Sequence, residues 1–253
     1  MRKRIAALLG LALLGASIAG CASRPSYPDG VYFAAGDMDA GSGYRTIVTV
    51  KVSENRIESV DWNEIHYKNA DKKALGDDYG MKGASSIGKE WYEQAKAIED
   101  VLVKRGPDSI QYDTEGEKAG KVKNVSGASI SVTNVLSVFE KAMSADPVPQ
   151  GAYQDGVYHQ LAETPVDGYQ DVVTLVVANG TIVLAEWDKV AAAPAEGEAP
   201  TLRMQDASGP FEAQAEAFAA QVLENQGTVE AVDGPEDIAG AKKLLDSLLD
   251  QAR

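Results

Sequence analysis

The stretch Asp29-Gly-Val-Tyr32 occurs a second time in this chain, as Asp155-Gly-Val-Tyr158. The tyrosine two residues upstream is repeated as well, at Tyr27 and Tyr153. A tetrapeptide and its neighbour that recur at the same spacing indicate an internal repeat. We therefore expect one structural unit that is written twice along the chain.

Each copy of the tetrapeptide is followed by the pattern of a β-hairpin. After Gly43-Tyr44 and Gly168-Tyr169 comes a run rich in β-branched residues, then a tight polar turn, then a second run that ends in tryptophan. Asn179-Gly180 in the second turn is a strong hairpin signal because both residues tolerate positive φ. The matching segments are residues 46–52, 53–56 and 57–62 in the first copy and residues 171–177, 178–181 and 182–187 in the second.

A helical pattern follows each hairpin. Apolar residues at helical spacing predict a helix over about residues 89–104, and Phe211 to Leu223 repeat that spacing in the second copy. Each copy then returns through a short β-like segment, residues 109–112 or 228–232, to a last helix.

This order of elements predicts the α+β class, an antiparallel sheet with packed helices in each of two domains. The segment Ser144–Gly151 contains two prolines and reads as a linker. We name residues 29–143 the first repeat and residues 153–253 the second repeat, with residues 144–152 between them. Each is long enough to form its own core.

The N-terminal segment has the composition of a secretory signal. Arg2-Lys-Arg4 precedes an uncharged apolar run from Ile5 to Ile18, which is too short to remain as a membrane span. The run leads to Ala19-Gly-Cys21, which resembles the bacterial lipobox, and the chain holds no other cysteine. We therefore expect a signal peptide over residues 1–20, lipidation at Cys21 and a tether over residues 21–28. The protein would be extracytoplasmic and anchored by lipid to a bacterial membrane, at the cell surface or the periplasmic face.

The charge of the chain narrows the class of partner. Its formal net charge of −14 becomes −17 when residues 1–20 are removed, and such a body repels nucleic acid and anionic lipid. His66 and His159 lie far apart in sequence, and no nucleophile elbow, Walker loop or zinc spacing occurs. We expect neither a metal site nor a catalytic residue.

A turn of small residues stands out in the first repeat. The segment Val122–Ser131 carries three hydroxyls, of Ser126, Ser129 and Ser131, directly before apolar residues at helical spacing. A helix N-terminus attracts phosphate through its unpaired N–H groups and its dipole. The turn therefore predicts a phosphate site, and the alternative is that Ser129 or Ser131 is only an N-cap.

The two repeats differ at this turn. Val125–Ser129 aligns with Val232–Glu236, where the hydroxyls are lost and two carboxylates would repel a phosphate. The loop between Trp62 and Lys89 is replaced by an Ala/Pro-rich stretch, Val190 to Pro200, with the composition of exposed filler. Loss of a ligand site and simple loop drift both explain the difference.

This order of tetrapeptide, hairpin, helix and Val-Ser-Gly-Ala-Ser before a helix resembles the FMN-binding domain family. The family includes two-domain bacterial surface lipoproteins and flavin-carrying subunits of membrane redox complexes. The resemblance covers nearly all of residues 29–143 and, in weaker form, residues 153–250, so the second repeat is expected to be degenerate. It implies that FMN is bound with its phosphate at the turn, often as an ester set by a flavin transferase.

Carried onto this chain, the family pattern Asp-x-x-Ser/Thr-Gly-Ala-Thr implies cofactor contacts at Ser126, Gly127 and Ala128, with Ser129 at the esterified position. Ser129 stands where threonine is usual and Lys123 where the acidic residue is usual, so covalent and non-covalent binding both stay open. Lys123 is itself a candidate contact, since its charge could pair with the phosphate. The loop before the long helix also resembles that of such lipoproteins. It adds Asp78, Tyr79, Met81 and Lys82 as candidate contacts.

The aromatic side chains allow two interpretations. Trp62, Tyr79 and Trp91 are candidates to pack against the flavin ring, and tryptophans of this kind are also common core residues. The resemblance implies an electron carrier between a membrane redox protein and an external acceptor or reductase, without substrate turnover of its own. The alternatives are a flavin-free envelope lipoprotein that acts as a binding or structural module, and a flavin-dependent reductase.

Overall fold

The structure is a computed structural model of the 253-residue chain, and it describes residues 27–39, 41–67, 70–192 and 209–253. The predicted signal peptide, Cys21 and most of the tether lie outside the described residues. Within the described part of the chain, none of the helices combines the length and the apolar character that crossing a bilayer requires.

Two antiparallel sheets and four helices make up the described chain, which confirms the predicted α+β class. The first sheet has the order β1-β2-β3-β4 and the second has the order β5-β6-β7. The strands are β1 (Gly30–Met38), β2 (Tyr44–Ser53), β3 (Arg56–His66), β4 (Ala70–Asp71), β5 (Gly156–Leu161), β6 (Tyr169–Ala178) and β7 (Thr181–Ala191). The helices are α1 (Trp91–Arg105), α2 (Thr133–Met143), α3 (Gly209–Asn225) and α4 (Ala239–Gln251).

Both predicted hairpins are present, and their turns have positive φ at the two central residues. These residues are Glu54 and Asn55 between β2 and β3, with φ of 52° and 59°, and Asn179 and Gly180 between β6 and β7, with φ of 52° and 74°. Such a backbone twist matches the twist of the flanking strands.

The repeated tetrapeptide has a structural role in each hairpin. The Asp29 carboxylate accepts the backbone N–H of Asn55 at 2.9 Å, and the Asp155 carboxylate accepts that of Gly180 at 2.7 Å. The tyrosine hydroxyls of the two copies donate to the carbonyl four residues upstream, at 2.7 and 2.8 Å. The aspartate thus satisfies a turn amide and the tyrosine fixes the entry to the strand.

The helices pack in the same way on both sheets. α1 lies on β3 and α2 on β1 and β2, whereas α3 lies on β7 and α4 on β5 and β6. Each pair of helices encloses its own apolar core, centred on Trp62 in the first repeat and Trp187 in the second. These two cores agree with the predicted duplication.

The faces of the two sheets that do not carry helices contact each other. Ile47 and Ile65 of the first sheet pack with Val176 of the second, and an Arg45–Glu186 ion pair of 2.7 Å spans the interface. The segment predicted as a linker is held to both repeats, because Val148 donates its N–H to Val31 and accepts from the Asn179 amide. The division into two domains stays a prediction.

Two local expectations differ from the structure. The stretch that begins at Val190 is not exposed filler throughout, since Val190 lies in β7 and is 2 % exposed, and residues 193–208 lie outside the described part. The β-like return segments form no strand among the described residues, although Tyr112 makes a single bridge to Val122.

Candidate functional site

The loop between β4 and α1 is attached to the first turn of α1 by a buried glutamate. The Glu90 carboxylate accepts the backbone N–H groups of Met81 and Lys82, both at 2.8 Å. Glu90 also forms a capping box with Glu93, which starts the helix at Trp91. The loop is therefore fixed by backbone contacts that do not depend on its own side chains.

A second buried side chain, Gln94, joins this loop to the small-residue segment Val122–Ser131, which we call the serine turn. Its amide oxygen accepts the N–H of Ser129 at 2.8 Å and the hydroxyl of Ser129 at 3.2 Å. Its amide nitrogen donates to the Ser85 hydroxyl at 3.2 Å and to the Lys89 carbonyl at 3.1 Å. Because Gln94 is 0 % exposed, it holds two segments that are distant in sequence in one fixed relation.

A third anchor of the same loop is an ion cluster behind the sheet. Lys73 pairs with Asp61 and, at 2.5 Å, with the buried Glu99, which also accepts the backbone N–H of Trp62. Burial lowers the pKa of Lys73, whereas the carboxylates of Asp61 and Glu99 raise it. The carboxylates outweigh burial, so the pKa is raised overall and the side chain stays protonated.

Between the loop and the serine turn lies a cleft of about 510 Å³. This volume is within the range of small-molecule sites. The wall combines aromatic rings with hydroxyls and charges, and it includes Tyr44, Trp62, Glu64, Lys72, Tyr79, Met81, Trp91, Lys121, Ser129, Ser131 and Asn134.

Three of these rings surround one cation. The Lys72 ammonium lies 4.4 Å from the ring centre of Tyr44 and 4.7 Å from those of Tyr79 and Trp91. All three distances fall within cation–π range. Trp91 also meets Trp62 edge to face, with 5.1 Å between the ring centres, so both tryptophans are core residues that still reach the cleft.

A carboxyl group, Glu64, lies in the same cleft. It accepts hydrogen bonds from the Thr46 hydroxyl at 2.9 Å and from the Trp62 indole at 3.0 Å. Burial raises the pKa of Glu64, and the hydrogen bonds and the Lys72 charge offset this only in part. Burial also raises the pKa of the neighbouring Tyr44 phenol, to which Tyr79 and Glu64 contribute.

The structure brings together only some of the residues that the sequence singled out. Tyr79, Met81 and Ser129 line the cleft, as do Trp62, Trp91 and Ser131, whereas six other candidates lie outside its wall. The Lys123 ammonium forms an ion pair with the Asp113 carboxylate at 3.1 Å. The side chains of Asp78 and Lys82 are exposed to solvent. The candidates outside the wall are Asp78, Lys82, Lys123, Ser126, Gly127 and Ala128.

A helix follows the turn as predicted, but the alternative that a serine of the turn is its N-cap is wrong. Helix α2 begins at Thr133, its N-cap is Val132, and no side chain caps it, so neither Ser129 nor Ser131 is the N-cap. The N–H of Ala128 goes to the Val125 carbonyl and that of Ser129 goes to Gln94. These two amides are therefore satisfied within the protein, and the helix N-terminus borders the cleft through Asn134 instead.

Four further cleft-forming residues had no sequence signal of function: Glu64, Lys72, Glu90 and Lys121. Gln94 did have one, because the aligned helices place a glutamine at the same position of the second repeat, Gln214. That recurrence within the chain was the available clue.

The counterpart of the cleft in the second repeat is occupied by the protein's own charges. Gln214, 1 % exposed, accepts the N–H of Glu236 at 3.0 Å, as Gln94 accepts that of Ser129. Lys189 stands where the first repeat has Glu64. Its ammonium bonds the Glu236 carboxylate at 2.5 Å and lies 3.9 Å from Asp171. The scaffold is retained and the space is used for an ion cluster.

Another groove, of about 700 Å³, runs along α4 of the second repeat. Its wall carries charges of both signs, such as Lys242 and Asp246, and contains no aromatic side chain. No group of three or more potential metal-ligating side chains occurs among the described residues. The cleft of the first repeat is therefore the better candidate for a ligand site.

Comparisons with known proteins add little to this geometry. No protein-family model and no curated protein matches the chain. A solution NMR structure of a protein from Clostridium thermocellum, solved in a structural genomics project, shares 32 % identity over 46 % of this chain and 90 % of its own length. Its TM-score is 0.35, and we draw no conclusion from this likeness.

Proposed function

We propose that the protein is a lipid-anchored extracytoplasmic flavoprotein that carries FMN in the cleft of the first repeat. It would pass electrons between a membrane redox protein and an external acceptor or reductase. The second repeat would be a degenerate FMN-binding-type domain without cofactor. The observation that supports this most is the cleft itself, which unites Ser129 with Tyr79 and Met81 although about 50 residues separate them.

The residues of the cleft fit a flavin mononucleotide in size and in chemistry. Tyr79, Trp62 and Trp91 give the cleft a partly aromatic wall, and small-molecule sites are largely apolar with a few placed polar groups. Lys121, Ser131 and Asn134, at the end of the cleft next to α2, offer a cation, a hydroxyl and an amide to a phosphate.

Each part of the chain would have a separate task. When bound, FMN supplies one- or two-electron transfer. The aromatic residues orient the ring, and the Glu90 and Gln94 anchors keep the loop and the serine turn at a fixed separation. The Ser129 hydroxyl, which faces the cleft, is the available nucleophile for an ester set by a flavin transferase.

The test is the colour and the mass of the purified lipoprotein after co-production with a flavin transferase. Yellow protein heavier by one FMN indicates covalent binding, and Ser129→Ala should then abolish the added mass. Colour that is lost on denaturation indicates non-covalent binding. Colourless protein that ignores added FMN contradicts the proposal and favours the flavin-free binding or structural module.

The membrane partnership is tested independently of the flavin. Cys21→Ser should move the protein from the membrane fraction to the soluble fraction, because the acyl chains can no longer be attached. Ser23→Ala, two residues further on, is the matched control and should leave the protein in the membrane fraction.

A further inference from the structure

Lys72 is the one cleft residue whose charge is presented to the aromatic surfaces of the site. Its neighbour Lys73 is neutralised by Asp61 and Glu99, whereas the contacts of Lys72 are the faces of Tyr44, Tyr79 and Trp91. A cation over an aromatic face is attracted by the ring quadrupole, but the rings carry no net charge and so do not neutralise the ammonium. Its field therefore extends into the cleft.

The position of this cation is not set by chance contacts of a free loop. Lys72 follows β4 directly, and its backbone N–H donates to the Glu64 carbonyl at 3.0 Å. On its other side the loop is attached by Lys73 to Glu99 of α1. The backbone on both sides of the Lys72 side chain is therefore fixed, which places its ammonium at the cleft.

The field of Lys72 already acts on another group in the cleft. Burial raises the pKa of Glu64, and the Lys72 charge opposes part of this rise, as expected for a cation in the wall of the same cleft. The second repeat has the opposite arrangement, because its cation, Lys189, is paired with Glu236.

We propose that Lys72, held over the rings of Tyr44, Tyr79 and Trp91, is a positioning residue that stabilises the reduced form of the flavin over the oxidised form. This inference rests on the proposed function and deepens it. Two-electron reduction with uptake of one proton changes the charge of the ring by −1, the electrons coming from a protein reductant in the cell and from dithionite in the test. A nearby cation favours the product of that change and raises the midpoint potential.

The experiment is a spectroelectrochemical titration of the FMN-loaded full-length protein in detergent. For Lys72→Met, the reduced form should bind about tenfold more weakly relative to the oxidised form, which lowers the midpoint potential by about 30 mV for a two-electron couple. Lys72→Arg should retain the potential of the wild type. Lys72→Gln supplies a second neutral side chain in case Met disturbs the packing of the rings.

Lys96→Met is the matched control for the loss of one positive charge. Lys96 is exposed on α1, where it pairs with Asp100, and it should leave the potential unchanged. An unchanged potential in both neutral Lys72 variants, or an equal shift in Lys96→Met, overturns the inference while leaving the proposed function intact. A wild-type protein that binds no FMN overturns both.

Discussion

The two repeats build the same frame and use its centre in opposite ways. In both, a buried glutamine on the first helix accepts a backbone N–H of the turn, and an edge-to-face aromatic pair lies beside it at 5.1 and 5.0 Å. In the first repeat this frame borders a cleft, whereas in the second Lys189 and Glu236 fill the space. A duplicated core can therefore be kept while the site is replaced by an internal ion pair.

The difference also reaches the loop before the first helix. Glu90 holds that loop in the first repeat, and the aligned position in the second repeat is Pro210, which has no carboxylate for such a contact. The loss of the anchor and the gain of the ion cluster occur together. This combination indicates that the loop, the turn and the cleft of the first repeat form one unit.

The largest effect is expected from removal of the carboxylate that closes the second repeat. Glu236→Ala leaves Lys189, 8 % exposed, with only the more distant Asp171, and should lower the free energy of unfolding by about 3 kcal/mol. Ser129→Ala, the same position in the first repeat, should cost no more than about 1 kcal/mol. Urea denaturation of both variants measures the comparison, and equal small losses would show that the ion pair does not close the site.

The reciprocal change imposes the second-repeat residue on the first. Ser129→Glu places a carboxylate in the cleft that already contains Glu64, and should weaken FMN binding about 100-fold, or about 2.7 kcal/mol. Fluorescence titration with FMN measures the loss. Ser59→Glu, on an exposed position of β3, adds the same charge away from the cleft and should bind FMN as the wild type does. Wild-type affinity in Ser129→Glu would place the ligand elsewhere.

Substitution of the two equivalent glutamines tests which role is common to both repeats, stability, and which belongs to the first repeat, FMN binding. Gln94→Ala and Gln214→Ala each leave a partly buried backbone N–H without its acceptor, so each should lower the free energy of unfolding by about 1 kcal/mol. Gln94→Ala should in addition weaken FMN binding, since it releases the turn from the loop. Gln214→Ala should not, and a loss of binding in both variants would contradict the assignment of the ligand to one repeat.

The smallest effect concerns the pH dependence of stability. Because burial raises the pKa of Glu64 in the folded state, ionisation of this carboxyl costs stability as the pH rises through its folded pKa. Glu64→Gln keeps an oxygen for Thr46 and Trp62 and removes that cost. Its midpoint of thermal unfolding should rise relative to the wild type as the pH increases above the ordinary glutamate pKa of 4.5. Glu58→Gln, on the exposed Lys51–Glu58 pair, should show no such trend.

The sequence predicted the frame well because the frame depends on local patterns. The alternation of the strands, the Asn179-Gly180 turn and the helical spacing of the first helices each require only near neighbours. The recurring aspartate and tyrosine were visible for the same reason, since each bonds to a turn or to a residue four positions away.

The candidate site was predicted in part. Tyr79, Met81 and Ser129 were identified and do meet at the cleft, and a helix does follow the turn, but neither Ser129 nor Ser131 is its N-cap. Small residues before an apolar run indicate a helix beginning, but they do not reveal that the Gln94 side chain accepts the N–H of Ser129. The competing hydrogen bond comes from another part of the chain.

By itself, the sequence determined that a hairpin and two helices are written twice, that the N-terminus carries a lipobox-like signal, and that the serine turn differs between the copies. Only the tertiary structure decided that Lys72 lies over the rings of Tyr44, Tyr79 and Trp91 and that Glu64 is buried in the same cleft. It also decided that Lys189 pairs with Glu236 in the second repeat. The physical reason is that these charges owe their environment to residues distant in sequence. A side chain's neighbours across a sheet or a loop are not encoded in its local pattern.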